Sequence, residues 1–172
     1  MAQFDGLGLA AFNSLPPEEA ESVLMACCSS RRWTRLVADG RPYPTVDEVY
    51  EAADSAVNEL TERDIDEALD GHPRIGERPS ASHSVWSKQE QTGVSNAAAD
   101  VHAALADRNR AYEERFGHVY LVCATGKSAE ELLATLNDRL SNDPATERRV
   151  VRTELAMINR IRLERMLAGG EL

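Results

Sequence analysis

The chain has 172 residues, of which 42% are hydrophobic and 28% charged, and its formal charge is −10. This length and composition fit a single globular domain and exclude disordered and fibrous proteins. The acidic charge argues against general nucleic-acid binding, which needs clustered lysines and arginines. No apolar run approaches the ~20 residues that a membrane span requires. Because only 5% of the residues are aromatic and helix formers abound, we predict an all-α fold.

Start and stop signals divide the N-terminal part of the chain into helices. A prolyl or capping residue followed by acidic and periodic apolar residues indicates a helix start. We predict four such starts, at Pro17, Arg31, Thr45 and Thr61. Glycines give the predicted ends at Gly40 and Gly71.

The second half of the chain follows the same rules after a loop. Prolines, a glycine and serines without any period predict a loop over residues 73–84. A long helix is predicted from about Ser95 to Arg115, closing at Gly117. Ser128 opens a further helix with a capping-box pattern, and Asp143-Pro144 opens the last one.

One β-branched apolar run, Val119–Cys123, interrupts the helices. It has no second strand with which to form a sheet, so we predict an extended apolar connector. Its backbone polar groups must then find other partners, and a substrate could be one of them. The predicted architecture is a single-domain helical bundle, residues 1–172, with one extended connector.

Residues 71–93 concentrate groups that can do chemistry. The chain reads Gly-His-Pro-Arg-Ile-Gly-Glu-Arg-Pro from Gly71 and Ser-Lys-Gln-Glu-Gln-Thr-Gly from Ser87. A lone histidine at a helix end is often a surface residue that complements the helix dipole. Pro73 changes this weighting, because it restricts the backbone of His72 and so fixes the direction of the imidazole.

Two other candidate groups also have plain structural interpretations. Ser87 with Glu90 matches a capping box, in which both side chains bind the amides of the first helical turn. Arg162 lies on or beside an apolar stripe of the last helix, where a snorkelling arginine would keep its head in water. A buried guanidinium would instead need a carboxylate or a ligand.

Other catalytic classes find little support. The four histidines show no metal-ligand spacing, and vicinal Cys27 and Cys28 lack a CxxC form, so no metal site is predicted. There is no GxSxG elbow, and Cys123 lies in an apolar run that disfavours a thiolate. The cysteines fit a reducing compartment, and we expect a cytoplasmic protein.

Four motifs in order resemble one known family. HPRIG, SxxEQ, FGHVYLVCATG and INRIRL resemble the OHCU decarboxylases, which act on 2-oxo-4-hydroxy-4-carboxy-5-ureidoimidazoline in urate breakdown. The resemblance extends from about Phe12 to Leu167. It implies a cofactor-independent carboxy-lyase that forms (S)-allantoin, and a homodimer.

The resemblance also implies roles for individual residues. His72 and Glu90 are the expected acid/base pair, and either of them could protonate carbon. Arg162 is the expected partner of an anionic substrate oxygen, with Arg160 as the alternative. The expected substrate-binding residues are Pro73, Ser87, Gln91, Leu121, Val122, Cys123, Ala124 and Arg162. We expect the imidazole, the carboxyl group and the guanidinium to share one mostly enclosed cavity.

Two rival interpretations remain at this point. The chain could be a paralogous decarboxylase that acts on another ureido acid. It could also be a non-catalytic helical domain whose HPRIG loop binds a protein partner, since exposed loops often do so. Pocket size would discriminate the first rival. Against the second, the loop brings together a base, acids, amides and an arginine, which a flat interface would not need.

Overall fold

The computed structural model describes residues 4–77, 85–95 and 97–169. Every regular element in these stretches is a helix, which confirms the all-α prediction. The helices are α1 (Leu9–Ser14), α2 (Pro17–Cys27), α3 (Arg31–Asp39), α4 (Val46–Asn58), α5 (Glu62–Asp70), α6 (Val85–Glu90), α7 (Thr92–Ser95), α8 (Ala99–Phe116), α9 (Ala129–Arg139) and α10 (Pro144–Leu167).

The local capping signals predicted most helix ends correctly. The Thr45 hydroxyl accepts a hydrogen bond from the Glu48 amide, which starts α4. Ser128 and Glu131 form the reciprocal capping box that starts α9. Gly117 adopts φ +78 and ends α8, as its left-handed conformation allows. Such caps depend on residues only a few positions apart, so the sequence reveals them directly.

The segment before α8 differs from the prediction. The long helix starts at Ala99 and not near Ser95, and two short helices, α6 and α7, precede it. The predicted loop over residues 73–84 is irregular as far as Glu77, and residues 78–84 lie outside the described part of the chain. The six-residue helix α1 was not predicted, because a helix of fewer than two turns shows almost no periodic pattern of apolar residues.

The chain forms two compact units. Unit 1 is Met1–Ala68 with Ala156–Leu172, and unit 2 is Leu69–Leu155. The single domain over residues 1–172 stays a prediction.

Unit 1 packs its helices around a buried tryptophan. Trp33 is fully buried, and its indole N–H donates to the Ala53 carbonyl at 3.1 Å, which ties α3 to α4. The Arg41 guanidinium donates to the Phe12 and Leu15 carbonyls at 2.8 Å each. Arg41 thereby binds two carbonyls at the end of α1, where the amides of a further helical turn are missing; the Phe12 carbonyl also accepts from the Leu15 amide at 3.3 Å.

Unit 2 contains a buried ion pair inside its apolar core. Arg139 Nε donates to Glu147 Oε1 at 2.7 Å, and the Glu147 side chain is fully buried. The Tyr112 hydroxyl donates to Oε1, and Asn142 Nδ2 donates to Oε2 at 3.0 Å. Burial, and then the hydrogen bond to Glu147, raise the pKa of the Tyr112 hydroxyl, which therefore stays a donor.

The same arginine supports the extended connector. Arg139 Nη1 donates to the Leu121 carbonyl at 2.6 Å, and its guanidinium carbon lies 4.8 Å from the Tyr120 ring centroid. Burial alone would lower the pKa of Arg139, but the hydrogen bond and charge of Glu147 outweigh it and raise the pKa. The arginine thus stays charged and holds the connector in place.

We predict that Glu147→Ala lowers the free energy of unfolding by about 3–5 kcal/mol, because it leaves the Arg139 charge buried without its partner. Urea denaturation measures this change. The control is Asp107→Ala, which removes an exposed ion pair with Arg110 and should change the same quantity by less than about 1 kcal/mol. Equal losses in the two variants would contradict the prediction.

Candidate active site

The His72 loop follows directly from the end of α5 in unit 2. The His72 amide donates to the Leu69 carbonyl at 3.0 Å, so the last helical turn fixes where the loop starts. His72 is only 8% exposed, and Pro73 beside it is buried. The surface-histidine interpretation is therefore wrong. The imidazole therefore lies inside the protein, where its orientation can be fixed by its surroundings.

Three side chains from other segments hold this loop. Gln91 Oε1 accepts the Gly76 amide at 3.0 Å, where Gly76 adopts φ +90. Asn109 Nδ2 donates to the Ile75 carbonyl at 2.9 Å. Arg74 donates to both carboxylate oxygens of Glu113, at 2.6 and 3.1 Å. The loop is thus fixed by α8 and by the turn after α6, which favours a pre-organised site.

The second motif lies on α6, and its position corrects one expectation. Helix α6 starts at Val85, so Ser87 lies inside the helix and is not an N-cap. The SxxE spacing alone cannot show where a helix begins, because the same spacing also occurs within helices. Ser87 is 1% exposed and Gln91 8%, while Glu90 is half-buried. The residues of this motif therefore lie on α6 and in the turn that follows it.

Close backbone packing brings the turn after α6 to the end of the connector. A Cβ atom added to Gly93 would lie 2.3 Å from the Lys127 carbonyl oxygen. Helix α7, which contains Gly93, therefore lies directly against the backbone at Lys127, shortly after the connector. Burial raises the pKa of the Cys123 thiol, and the negative charges of Glu154 and Glu90 raise it further. Glu90 and Cys123 are therefore electrostatic neighbours within unit 2.

The extended connector runs as predicted, and its residues Leu121, Val122, Cys123 and Ala124 are all buried. Its backbone has protein partners. The Leu121 carbonyl binds Arg139, the Cys123 amide donates to Glu154 Oε2 at 2.8 Å, and the Ala124 carbonyl accepts from the Lys127 amide. The predicted need for partners outside a sheet is confirmed. These three groups are satisfied without a substrate.

Arg162 belongs to unit 1 and is buried, at 2% exposure. Its Nη1 donates to the Cys27 carbonyl at 3.0 Å. The snorkelling interpretation is therefore wrong. Arg160, the alternative, has a side chain that is 45% exposed, lies 4.5 Å from the Tyr50 ring centroid and pairs with Glu164. Of the two arginines, Arg162 is the one in an environment that strengthens electrostatic interactions.

An open cleft of about 310 Å³ lies between the loop after His72 and α8. It is lined by residues 74–77 and by His102, Ala106, Asn109, Arg110 and Glu113. None of the predicted site residues is among these lining residues. The cleft therefore stays separate from the candidate site.

Two other kinds of feature are absent from the described residues. No group of three or more histidine, cysteine, aspartate or glutamate side chains there could hold a metal ion. No helix in the same stretches is both long and apolar enough to cross a membrane.

Several residues that shape the site were missed by the sequence analysis. Arg139, Glu147 and Glu154 hold the connector, and Asn109 holds the loop. In sequence they are ordinary polar residues of amphipathic helices, which usually face solvent. The sequence indicated such partners only indirectly. An extended connector without a sheet needs hydrogen-bond donors and acceptors from other segments, but the pattern did not show which residues provide them.

We predict that Gly93→Ala lowers the free energy of unfolding by about 1–3 kcal/mol, because the new methyl group forces the backbone at Lys127 to move. Urea denaturation and activity are both measured. Thr92→Ala, at an exposed neighbouring position, is the control and should stay within about 0.5 kcal/mol. A stabilised Gly93→Ala variant, as helix propensity alone would give, would contradict the close packing.

We predict an alkaline loss of stability that depends on Cys28. Burial is the largest effect on this thiol and raises its pKa from 9.0 to about 11. Well below pH 9 the Cys28 thiol is neutral in both the folded and the unfolded state, so its contribution to the free energy of unfolding is fully present. As the pH rises from 9 towards 11 the unfolded thiol ionises first, so folding loses about 2 kcal/mol by pH 10.5. Denaturation at pH 8 and 10.5 should show a smaller loss for Cys28→Ser, and equal losses would contradict the prediction.

Comparison with known proteins agrees with the four motifs. The family model described as OHCU decarboxylase matches residues 13–164. The uric acid degradation bifunctional protein TTL of Arabidopsis thaliana is 28% identical over 156 residues, which are 88% of this chain and 48% of that protein. The 2-oxo-4-hydroxy-4-carboxy-5-ureidoimidazoline decarboxylase of Amia calva is 27% identical over 132 residues, 74% of this chain and 75% of that one.

A solved structure shares the fold. The crystal structure of OHCU decarboxylase in the presence of (S)-allantoin superposes with a TM-score of 0.76 and 25% identity, covering 90% of this chain and 99% of that chain. The chain spans about half the length of the Arabidopsis relative. Because the family model matches residues 13–164, the chain belongs to the OHCU decarboxylase family.

Proposed function

We propose that this protein decarboxylates 2-oxo-4-hydroxy-4-carboxy-5-ureidoimidazoline to (S)-allantoin in urate degradation. Family membership supports the reaction class. The observation that carries the proposal is the burial of the polar motif residues, with His72 at 8%, Ser87 at 1%, Gln91 at 8% and Arg162 at 2% exposure. Buried polar groups need hydrogen-bonding partners, and in a functional site a substrate can be one of them.

The chemistry needs little from the protein beyond positioning. The bond from the ring carbon to the carboxylate breaks, and carbon dioxide leaves. The electron pair forms a double bond to the neighbouring ring carbon as the π electrons of the C=N bond move onto nitrogen, so the substrate provides its own electron sink. The product of this step is an enol, whose hydroxyl loses its proton to become the carbonyl of allantoin. One proton then adds to carbon, and its face decides between (S)-allantoin and the racemate. The reaction therefore has no chemical need for a pyridoxal, thiamine or metal cofactor.

His72 and Glu90 are proposed to share the proton transfers. An imidazole and a carboxyl group can each accept and donate a proton, so both suit general acid–base catalysis. His72 stands on a loop held by Gln91 and Asn109, which supports its role as the fixed member of the pair. Glu90 is half-buried and close enough to Cys123 to affect its thiol.

The remaining roles concern binding. Arg162 is proposed to pair with an anionic oxygen of the substrate, and Ser87 and Gln91 to hydrogen-bond its ring and ureido groups. Pro73 and the connector residues Leu121, Val122, Cys123 and Ala124 are proposed to form apolar walls and backbone contacts. Arg139, Glu154 and Lys127 support the connector from within the protein, which supports a fixed shape for these walls.

The protein-binding interpretation is less well supported. A partner-binding loop would present its apolar side chains to solvent. In this loop Pro73 is buried and Ile75 is only 6% exposed. Arg74 is half-exposed but is already paired with Glu113 and Glu77. We therefore favour the enzyme.

We also propose that the chain acts as one domain, forms a homodimer and functions in the cytoplasm. The family resemblance is the support for the dimer. Buried Cys27, Cys28 and Cys123, none of them in a disulfide, are compatible with a reducing compartment.

We predict that His72→Asn lowers kcat/KM by about 10²–10⁴-fold, as expected for loss of an acid/base group. Urate, uricase and hydroxyisourate hydrolase generate the substrate, and circular dichroism follows the allantoin formed. His102→Asn, a histidine on α8 outside the proposed site, is the matched control and should retain normal rates. Normal turnover by His72→Asn would remove His72 from catalysis.

The same assay separates the two proton-transfer candidates. Glu90→Gln keeps the size and polarity of the side chain but cannot exchange a proton. Racemic product formed faster than in the mixture without protein would identify Glu90 as the group that protonates carbon, because decarboxylation would then still be catalysed while the face of protonation is lost. Fast formation of the (S)-enantiomer would restrict Glu90 to a structural role on α6.

A further inference from the structure

Asn159 is a buried polar residue that the proposed mechanism has not used. It lies on α10 within unit 1, three residues before Arg162, and is 1% exposed. Neither its Oδ1 nor its Nδ2 makes a hydrogen bond with the part of the chain that the structure describes. An unsatisfied carboxamide at this depth is strongly unfavourable. An apolar side chain, such as that of fully buried Leu163 one turn later, would suit the position better.

The surroundings of Asn159 are polar on one side. Its amide lies beside the Cys28 sulfur, whose thiol also interacts with the backbone of Ser30 and with the charge of Arg162. Sulfur is a weak hydrogen-bond acceptor and donor, so it does not replace an oxygen or nitrogen partner for the amide. Arg162 is fixed nearby through its bond to the Cys27 carbonyl. A guanidinium and a carboxamide thus lie one helical turn apart on the same buried side of α10.

The two groups have complementary chemistry. A guanidinium only donates hydrogen bonds and therefore selects an anion, such as a carboxylate. A carboxamide offers an acceptor and a donor side by side. The carboxamide oxygen can accept from an N–H of a urea-type group while the carboxamide N–H donates to its C=O, so the two edges are complementary. A ligand that carries a carboxylate and a urea-type group would therefore match the chemistry of both residues.

We propose that the Asn159 carboxamide is a specificity-determining contact that recognises a urea-type group of the substrate next to the anion held by Arg162. The proposal rests on the proposed function, because the ureidoimidazoline has a carboxylate, a ureido side chain and a ring urea. It explains why α10 retains an amide where packing alone would favour leucine. It also predicts that selectivity for ureido compounds depends on Asn159 and affinity for carboxylates on Arg162.

Two small carboxylates test this division. Ureidoacetate and pentanoate have equally long chains, but only ureidoacetate carries a urea-type edge. Calorimetric titration of the full chain should show ureidoacetate binding at least about tenfold more tightly than pentanoate, as expected for a buried donor–acceptor pair. In Asn159→Leu the preference should fall to within about twofold. Arg162→Lys should weaken both ligands by similar factors.

Stability and kinetics separate recognition from packing. Asn159→Leu should keep or raise Tm, because it removes two unsatisfied polar atoms. KM for the ureidoimidazoline should rise about tenfold while kcat changes less than about threefold, the pattern of lost binding. Asn159→Ala serves as a second variant if leucine prevents folding. Asn137→Ala, an exposed asparagine on α9, is the matched control and should retain the ligand preference and KM.

Several outcomes would overturn the proposal. A wild-type protein that binds both carboxylates equally would do so. So would an Asn159→Leu variant that keeps the preference, above all if its Tm falls, since the amide would then be structural. The binding experiment does not need turnover. If the wild type fails to decarboxylate but Asn159→Leu still abolishes the ureidoacetate preference, the proposed reaction is wrong and the recognition site stands.

Discussion

The buried ion pair between Arg139 and Glu147 is the interaction on which the rest of unit 2 depends. An extended segment without a sheet has no neighbouring strand to satisfy its backbone. Arg139 supplies a donor to the Leu121 carbonyl, and Glu147 keeps that arginine charged inside an apolar core. The Tyr112 hydroxyl and the Asn142 side-chain amide also donate hydrogen bonds to the Glu147 carboxylate. A buried network in which both charges have hydrogen-bonded partners favours one geometry, whereas a buried charge left without a partner would destabilise the fold.

The connector in turn carries the candidate site of unit 2. The turn after α6 packs on its C-terminal end through Gly93, and Gln91 from this turn binds the His72 loop at Gly76. The supports of the histidine therefore extend from α9 and α10 through the connector to the loop. Such a chain of contacts suits a reaction whose substrate contains its own electron sink. What remains for the protein is fixed orientation and the delivery of one proton to one face, and both need rigid placement.

The sequence predicted features that depend on neighbouring residues or on short motifs. The caps at Thr45 and Ser128 and the end of α8 at Gly117 were correct, because each is decided within one helical turn. The four motifs were enough to indicate the family. Burial of Arg162 was left open, since a helical stripe alone cannot tell a buried guanidinium from a snorkelling one.

Features that depend on distant contacts could not be predicted. Arg139 and Glu147 are eight residues apart but lie on two different helices, and in sequence both look like surface charges. Glu154 reaches the Cys123 amide across 31 positions, and Asn109 reaches the Ile75 carbonyl across 34. Ser87 shows the opposite problem, because a familiar local pattern suggested a cap where the helix had already begun. Tertiary contacts decided each of these positions.

The most direct test of the central claim is the optical activity of allantoin formed by the unmodified protein. Urate is mixed with uricase and hydroxyisourate hydrolase, and circular dichroism is recorded with and without this chain. The account predicts rapid appearance of the (S)-allantoin signal only when the chain is present. Slow formation of racemic allantoin at the same rate in both mixtures would contradict it.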